Sequence, residues 1–401
     1  MTDEREVRLQ RLHTLRERGV NPYPSQAVRS HTIAEALQHF EEWQGEEHVL
    51  TLVGRVRLMR DMGKAAFAHI EDGSGRIQLY FRVNDIGEEA FKILKLLDIG
   101  DFIQVSGFLF LTRTQERTLH VRELRLLSKS LRPLPEKFHG LEDVEIRQRK
   151  RYLDLLANGE TARDIFLTRS RVITAMRRYL DEHAFIEVET PILQPLYGGA
   201  TARPFITHHN ALDRDLYLRI AVELYLKRLI IGGFERVYEI GRNFRNEGID
   251  RNHNPEFTMM ECYQAYADYN DIMQLVEEMI CFIAREVKGS PLITYLGTTI
   301  DLTPPWPRLP LLKAIRDYTG IDVERFPDRE SLAAEMRERG YEADPALGRG
   351  RLIDDLKGAM FRKGIPDLKQ ALFLTDYPLD VSPLAKQHRE VAGLVDRFQP
   401  F

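Results

Sequence analysis

IGRNFRNEGIDRNHNPEFTMMECYQAYADY, residues 240–269, holds two runs of strand-forming residues on either side of a polar turn. Side chains alternate along a strand, so Arg245 and Glu247 share one side of the outgoing run, and Phe257, Glu261 and Tyr263 share one side of the return. Phe244, Met260 and Cys262 then face a core. One face thus offers a fixed cation, a carboxylate acceptor, an aromatic plate, a second carboxylate and a phenol. These groups suit a phosphate, an adenine amino group, an adenine ring and an ammonium. Taken singly, each Arg or Phe reads as part of an ordinary half-buried hairpin with surface ion pairs; the whole set reads as a nucleotide site.

The rest of the chain bounds that reading. At 401 residues it exceeds one compact core and implies two or three domains. Hydrophobic residues at 43% and charged residues at 29% are those of a soluble globular protein. The start, MTDEREVRLQRLHTLRERG, is charged throughout, and no run of about 18 apolar residues occurs anywhere. Neither a secretory leader nor a membrane span is expected, and the expected compartment is the cytoplasm. Cys262 and Cys281 are too few for a disulfide framework or a thiolate metal site and sit in apolar patterns, as core thiols do. The net charge of -4 argues against general coating of nucleic acid. Residues 50–132, however, carry 14 Lys and Arg against 10 Asp and Glu, a local basic balance that suits a polyanion.

Residues 3–19 have Val7, Leu12 and Leu15 at helical spacing, ended by Gly19, Asn21 and Pro22. From Val49 the signal turns to β-rich runs at 49–59, 66–71, 76–83, 102–112 and 118–127, with Asp72-Gly73-Ser74-Gly75 as a tight turn and a helix at 87–97. Three strands, a helix and two strands is the order of a five-stranded OB barrel. Such barrels hold single-stranded nucleic acid by stacking bases on aromatics beside cations, and Arg57, Arg60, Phe67 and Gln78 are the candidates. Phe67 alone reads equally well as barrel core. The prolines and glycine of LRPLPEKFHGL, residues 131–141, mark a linker. The expected domains are a helical extension at 1–48, the barrel at 49–130, a linker at 131–150 and a larger domain at 151–401. Within the last, 165–183 is a helix with Ile165, Val172, Ile173, Met176 and Leu180 on one face, 185–190 a strand stopped by Pro191, and 271–287 a helix begun by Asn270 or Asp271. Helical patterns at 329–339 and 349–362 suggest a helical insertion at about 310–365, and 373–376 returns to strand.

No GxxxxGK[ST], HExxH or GxSxG motif occurs, and His208-His209 on an extended chain would point to opposite faces rather than share a metal. FIEVETP at 185–191 and FRNEGIDRNHNPEFTMMECY at 244–263 resemble the first and second motifs of the class II aminoacyl-tRNA synthetases. GGATARPFITHHNALD at 198–213, ELYLKRL at 223–229, GGFERVYEIGRNFRNEG at 232–248 and DVSPLAK at 380–386 are most similar to the lysine–tRNA ligases of bacterial type. The resemblance spans nearly the whole chain. It implies an α+β fold: an N-terminal five-stranded OB barrel followed by a class II synthetase antiparallel sheet flanked by helices, not a Rossmann fold.

What the resemblance implies for residues follows motif by motif. Arg245 would hold the α-phosphate of ATP as the catalytic cation, Glu247 would accept from the adenine amino group, Phe257 would stack on adenine, and His253 would lie near the phosphates. Gly199 and Glu223 would meet the α-amino end of L-lysine, with Glu261 and Tyr263 lining the way to its side chain. The implied reaction is ATP-dependent: lysine carboxylate attacks the α-phosphorus, and the lysyl group then passes to the 3′ end of tRNA(Lys). Mg²⁺ would accompany ATP, the barrel would read the anticodon, and the first motif would pair two copies as a homodimer.

Family members continue beyond the segment matching Asp396-Arg397-Phe398 into Mg²⁺-binding carboxylates and a third motif. The expectation is therefore a truncated member, with no metal ligands in this chain and no adenylation by itself. The alternative is a non-catalytic tRNA-binding or dimer-pairing fragment. An enzyme that lysylates a protein shares the catalytic pattern but normally lacks the barrel. Smaller departures are Val222, where a proline is usual before Glu223, and Gln148 and Lys150 before Tyr152.

Overall fold

The computed structural model describes residues 3–134, 141–250, 252–364 and 369–401, apart from the side chains of residues 160 and 362–364. The chain divides into two units, Met1–Asp164 and Ile165–Phe401. In the first, β1 (Leu50–Asp61), β2 (Ala65–Glu71), β3 (Arg76–Arg82), β4 (Phe102–Leu111) and β5 (Arg117–Ser128) close into a barrel in the order β1-β2-β3-β5-β4. Alternation explains the closure: Ala66, Ala68 and Ile70 of β2 and Ile77, Leu79 and Phe81 of β3 fill the interior. The intervening residues Phe67, His69, Gln78 and Tyr80 are only half-buried, on the other face. The turn between β2 and β3 forms as its residues demand, with the Asp72 carboxylate accepting from the main chains of Ser74 and Gly75 at 2.7 and 2.9 Å.

A helix, Glu88–Leu94, caps the barrel with Phe91 and Leu94. The N-terminal helix Glu4–Glu17 adds Leu15 to the same core, and its buried Arg8 donates to the Ile99 carbonyl at 3.0 Å. Of the expected linker, residues 135–140 lie outside the described residues.

The second unit contains β6 (Ile186–Glu187) and a small antiparallel sheet of β7 (Leu193–Gln194), β8 (Ile206–His209) and β9 (Arg214–Leu218), in the order β7-β9-β8. After these comes the hairpin β10 (Arg236–Phe244) and β11 (Glu256–Gln264), to which β6 adds in parallel. Tyr238, Ile240, Met260 and Cys262 form one face of this sheet and pack on Tyr179, Leu180, Leu275 and Met279 of the helices Gly159–Glu182 and Tyr269–Lys288. Cys262 packs with this apolar cluster, where burial pushes it up to about 11, and Cys281 is buried. Phe244 is half-buried at the strand end.

Three details differ from expectation. The strand expected at 185–190 keeps only Ile186–Glu187, because beyond Val188 the main-chain N–H and hydroxyl of Thr190 turn to the Glu239 carboxylate at 3.1 and 2.7 Å. The helix expected from 165 begins at Gly159, and Ile165 is 60% exposed rather than packed. The helix expected from Asn270 or Asp271 begins at Tyr269, because Asp268 caps it by accepting from Asn270 N–H at 2.7 Å. Helices Leu311–Thr319, Arg329–Glu338 and Arg349–Gly364 share a core of Leu311, Ile315, Leu332, Met336, Leu352 and Leu356; residue 365 of the expected insertion lies outside the described residues. Strand Phe373–Thr375 pairs with Arg308–Pro310 and with Gln399–Pro400.

Candidate functional site

In the hairpin, Asn243 lies opposite Phe257, Gly241 opposite Met259, Glu239 opposite Glu261 and Val237 opposite Tyr263. Opposed residues share a face, so Phe257, Glu261 and Tyr263 line the side away from the Tyr238–Met260 core. Arg245 and Glu247 reach that side differently from the strand alternation expected of them, since β10 ends at Phe244. Arg245 N–H still donates to the Pro255 carbonyl at 2.8 Å, one rung past the strand, and Glu247 N–H turns back to the Arg245 carbonyl at 2.9 Å. The turn carries both side chains to a cavity of about 230 Å³ lined by Arg245, Glu247, Gly248, Asn252, His253, Asn254 and Phe257.

The Arg245 guanidinium stands 5.2 Å from the centroid of the Phe257 ring. Its Nε is buried and has no hydrogen-bond partner among the described residues. A buried donor left unpaired costs about 1–3 kcal/mol, more when charged, so an acceptor entering this cavity would relieve a real penalty. His253 is exposed, with Nδ1 2.8 Å from Asp250. The main-chain N–H of Asn252 and the His253 ring hold the Asp250 carboxyl below the usual range.

A second cluster lies farther along the same face. Burial pushes the Glu261 carboxyl up and the negative Glu223 adds to it, while hydrogen bonds from Tyr263 and the Val222 main chain, and the charge of Arg245, pull the other way. The phenol of Tyr263 donates to Glu261 at 3.2 Å and is itself pushed up, first by burial and then by the charges of Glu261 and Glu223. The N–H that Val222 offers Glu261 is one a proline could not supply. Glu223 opens the helix Glu223–Ile231 and accepts from Lys227 at 2.6 Å. Gly199 has φ +86°, and a Cβ there would come within 2.9 Å of the Glu223 Cβ and 3.1 Å of the Ala221 Cβ, so only glycine lets this turn sit against Glu223. Gly199, Glu223, Glu261 and Tyr263 are thereby brought together, and the influence of Arg245 on Glu261 joins the two clusters.

On the barrel, Arg60 lies opposite Phe67 and Phe67 opposite Tyr80, with the last two rings 4.8 Å apart. Phe67 is therefore outside the barrel core. Gln78 accepts from the Thr118 hydroxyl at 2.9 Å. Arg57 stands apart: its guanidinium pairs with Glu71 at 3.2 Å and donates to the Leu156 carbonyl at 3.1 Å, so its charge is committed within the chain. Tyr80, His120 and Phe108 continue the aromatic row, with centroid spacings of 5.3 and 4.8 Å, and were not singled out from the sequence. Tyr80 could have been, since it is two residues from Gln78 on one strand face. His120 and Phe108 depend on the parallel pairing of β3 with β5, which no local spacing reveals. His208, the other histidine of interest, is tied to Asp215 at 3.0 Å. Among the described residues no three or more His, Cys, Asp or Glu side chains converge as a metal site.

Residues 143–399 match the family of class II tRNA synthetases (D, K and N), and residues 50–127 match the OB-fold nucleic acid binding domain. The lysine–tRNA ligase of a Dehalococcoides mccartyi strain is 53% identical over 396 residues, 98% of this chain and 79% of the relative. That of Chloroflexus aurantiacus is 52% identical over 403 residues, 100% of this chain and 81% of the relative. That of Moorella thermoacetica is 49% identical over 395 residues, covering 98% and 80%.

Proposed function

Since the chain belongs to the class II lysine–tRNA ligases, we propose that the outer face of the β10–β11 hairpin binds ATP and L-lysine side by side, placed for the family reaction through lysyl-adenylate to tRNA(Lys). The observation that carries this reading is the cavity between Arg245, Glu247 and Phe257, where the buried Arg245 Nε has no acceptor among the described residues and the Arg245 charge reaches the acid cluster around Glu261. Phe257 stacks on adenine, Glu247 accepts from the adenine amino group, and Arg245 bonds the α-phosphate. The lysine α-ammonium lies by Gly199 and Glu223, and its side chain runs along Tyr263 to Glu261. No side chain acts as nucleophile. The lysine carboxylate attacks the α-phosphorus and pyrophosphate leaves; Arg245 stabilises the charge gathering there, and the two substrates are held in line. The tRNA 3′-terminal hydroxyl then attacks the lysyl carbonyl and AMP leaves. Mg²⁺ would screen the ATP phosphates, but the described residues gather no carboxylate set for it, and no step above passes through a metal.

Two acids, Glu223 and Glu261, on a face that must accept an amino acid predict selectivity for a diamine. In equilibrium dialysis with ATP present, L-lysine should bind and L-aspartate and L-asparagine should not. Binding of aspartate in preference to lysine would sink the assignment.

The outer barrel face, with Arg60, Phe67 and Gln78 and with Arg57 held beside them by Glu71, binds the anticodon by stacking and hydrogen bonding. Loss of one stacking ring typically costs about 1–3 kcal/mol. Phe67→Ala should therefore weaken binding of a lysine-anticodon stem-loop by about 10-fold or more in a filter assay while leaving ATP affinity unchanged. An unchanged stem-loop affinity would place the anticodon elsewhere.

The exposed apolar residues Ile165, Leu167, Ile186, Leu193 and Leu196 support pairing of two copies as a homodimer. No described helix is long and apolar enough to cross a membrane. The tRNA substrate supports a cytoplasmic location.

A further inference from the structure

Arg219, immediately after β9, is 2% exposed and heads the fully buried side chains by volume. Its guanidinium pairs with the buried Glu239, donates to the carbonyl and hydroxyl of Thr190 at 3.1 and 3.2 Å, and donates through Nε to the Arg242 carbonyl at 2.8 Å. The Thr190 main-chain N–H and hydroxyl return to Glu239 at 3.1 and 2.7 Å. The main chain of Arg219 is engaged as well: its N–H donates to Ile192 and its carbonyl accepts from Phe244, both at 2.9 Å. Gly241 lies flat against the guanidinium, where a Cβ would fall 2.2 Å from Nη2.

One arginine thus grips the last residues of β10 twice, at Arg242 and at Phe244, directly before Arg245. It holds them to Thr190 and Ile192, which follow β6 in the chain. A buried ion pair adds little stability over an apolar substitute of equal volume. What a planar fork provides instead is fixed direction, through several bonds at set angles. We propose that Arg219 is the positioning residue for Arg245: it fixes the exit of β10 so that the Arg245 guanidinium meets the ATP phosphate, without itself touching the nucleotide. This rests on the reading of Arg245 as a phosphate contact.

The test uses the full chain with Arg219→Met, Arg219→Lys, Arg245→Ala and the double variant Arg219→Met/Arg245→Ala. Calorimetric affinities for ATP and for adenosine are compared, with thermal unfolding to verify folding. Arg219→Met should weaken ATP by about 10-fold, the equivalent of 1.4 kcal/mol, yet leave adenosine within about two-fold. In the Arg245→Ala background the same change should cost nothing further for ATP, because the two act as one unit. Arg219→Lys keeps the charge but cannot bond Glu239 and Arg242 together, and should not restore ATP affinity. Thr190→Val, nearly isosteric, removes the hydroxyl bonds alone and should weaken ATP by about two- to five-fold, which keeps the test open if Arg219→Met does not fold. Equal losses for ATP and adenosine, or losses that add to that of Arg245→Ala, would overturn the proposal. If Arg245→Ala itself leaves ATP affinity intact, the phosphate reading fails first and takes this inference with it.

Discussion

Arg245→Ala is expected to weaken ATP binding by about 30-fold or more while weakening adenosine by no more than about five-fold. The asymmetry follows from the two contacts this side chain can make. Its charge-assisted bonds to a phosphate in a partly buried cavity belong to the class whose truncation costs about 2–5 kcal/mol. Its stacking on Phe257, at 5.2 Å, is worth about 0.5–1 kcal/mol to the shape of the adenine slot. The buried Nε, without an acceptor among the described residues, argues that the phosphate contact dominates. Equal losses for the two ligands would mean that Arg245 serves only to hold Phe257.

Glu261→Gln is expected to do opposite things to binding and to stability. Burial, the first cause of its raised pKa, makes the charged carboxylate unwelcome in the empty site. Because the folded chain holds this proton to higher pH than the unfolded chain, the residue's favourable contribution is complete below the ordinary glutamate range. It is lost as pH rises through the raised value. Once pH has risen through that value the wild-type chain carries a charge that burial penalises, and Glu261→Gln should raise Tm there and flatten its decline across that window. In the proposed site the lysine ammonium would relieve the same charge, so wild-type lysine affinity should rise with pH over the window. The glutamine variant should bind lysine about 30-fold more weakly at neutral pH, with no such rise. A variant that binds lysine normally, or loses stability at neutral pH, would remove Glu261 from the lysine site. Activity and stability trading against one another at one residue is the usual signature of a functional group.

Sequence alone carried the barrel far. Its five strands were expected within about two residues of their ends, because period-two alternation around small interior residues such as Ala66 and Ala68 leaves little freedom. The side on which Phe67 lies was not legible, since the same alternation fits core or surface until the closure of β3 on β5 fixes which face is inside. The setting of Arg57 was hidden for a related reason. The register of β1 against β2 shifts between Val56 and Leu58, a bulge invisible to residue counting, and Arg57 turns to Glu71. In the catalytic unit, Phe257, Glu261 and Tyr263 were legible as one face because they lie within one strand. Arg219 was not, because its partners Thr190, Glu239 and Arg242 are 20 to 29 residues away and only the fold brings them together.

The central claim is that one continuous face receives both halves of lysyl-adenylate, and the most direct test is calorimetric titration of the full chain with a non-hydrolysable lysyl-sulfamoyl adenosine. Binding should be tighter than that of either ATP or lysine alone, and weakened by at least about 10-fold both by Phe257→Ala at the adenine end and by Glu261→Gln at the ammonium end. Binding that responds to one substitution and ignores the other would separate the two clusters, and no binding by the folded chain would contradict the site altogether.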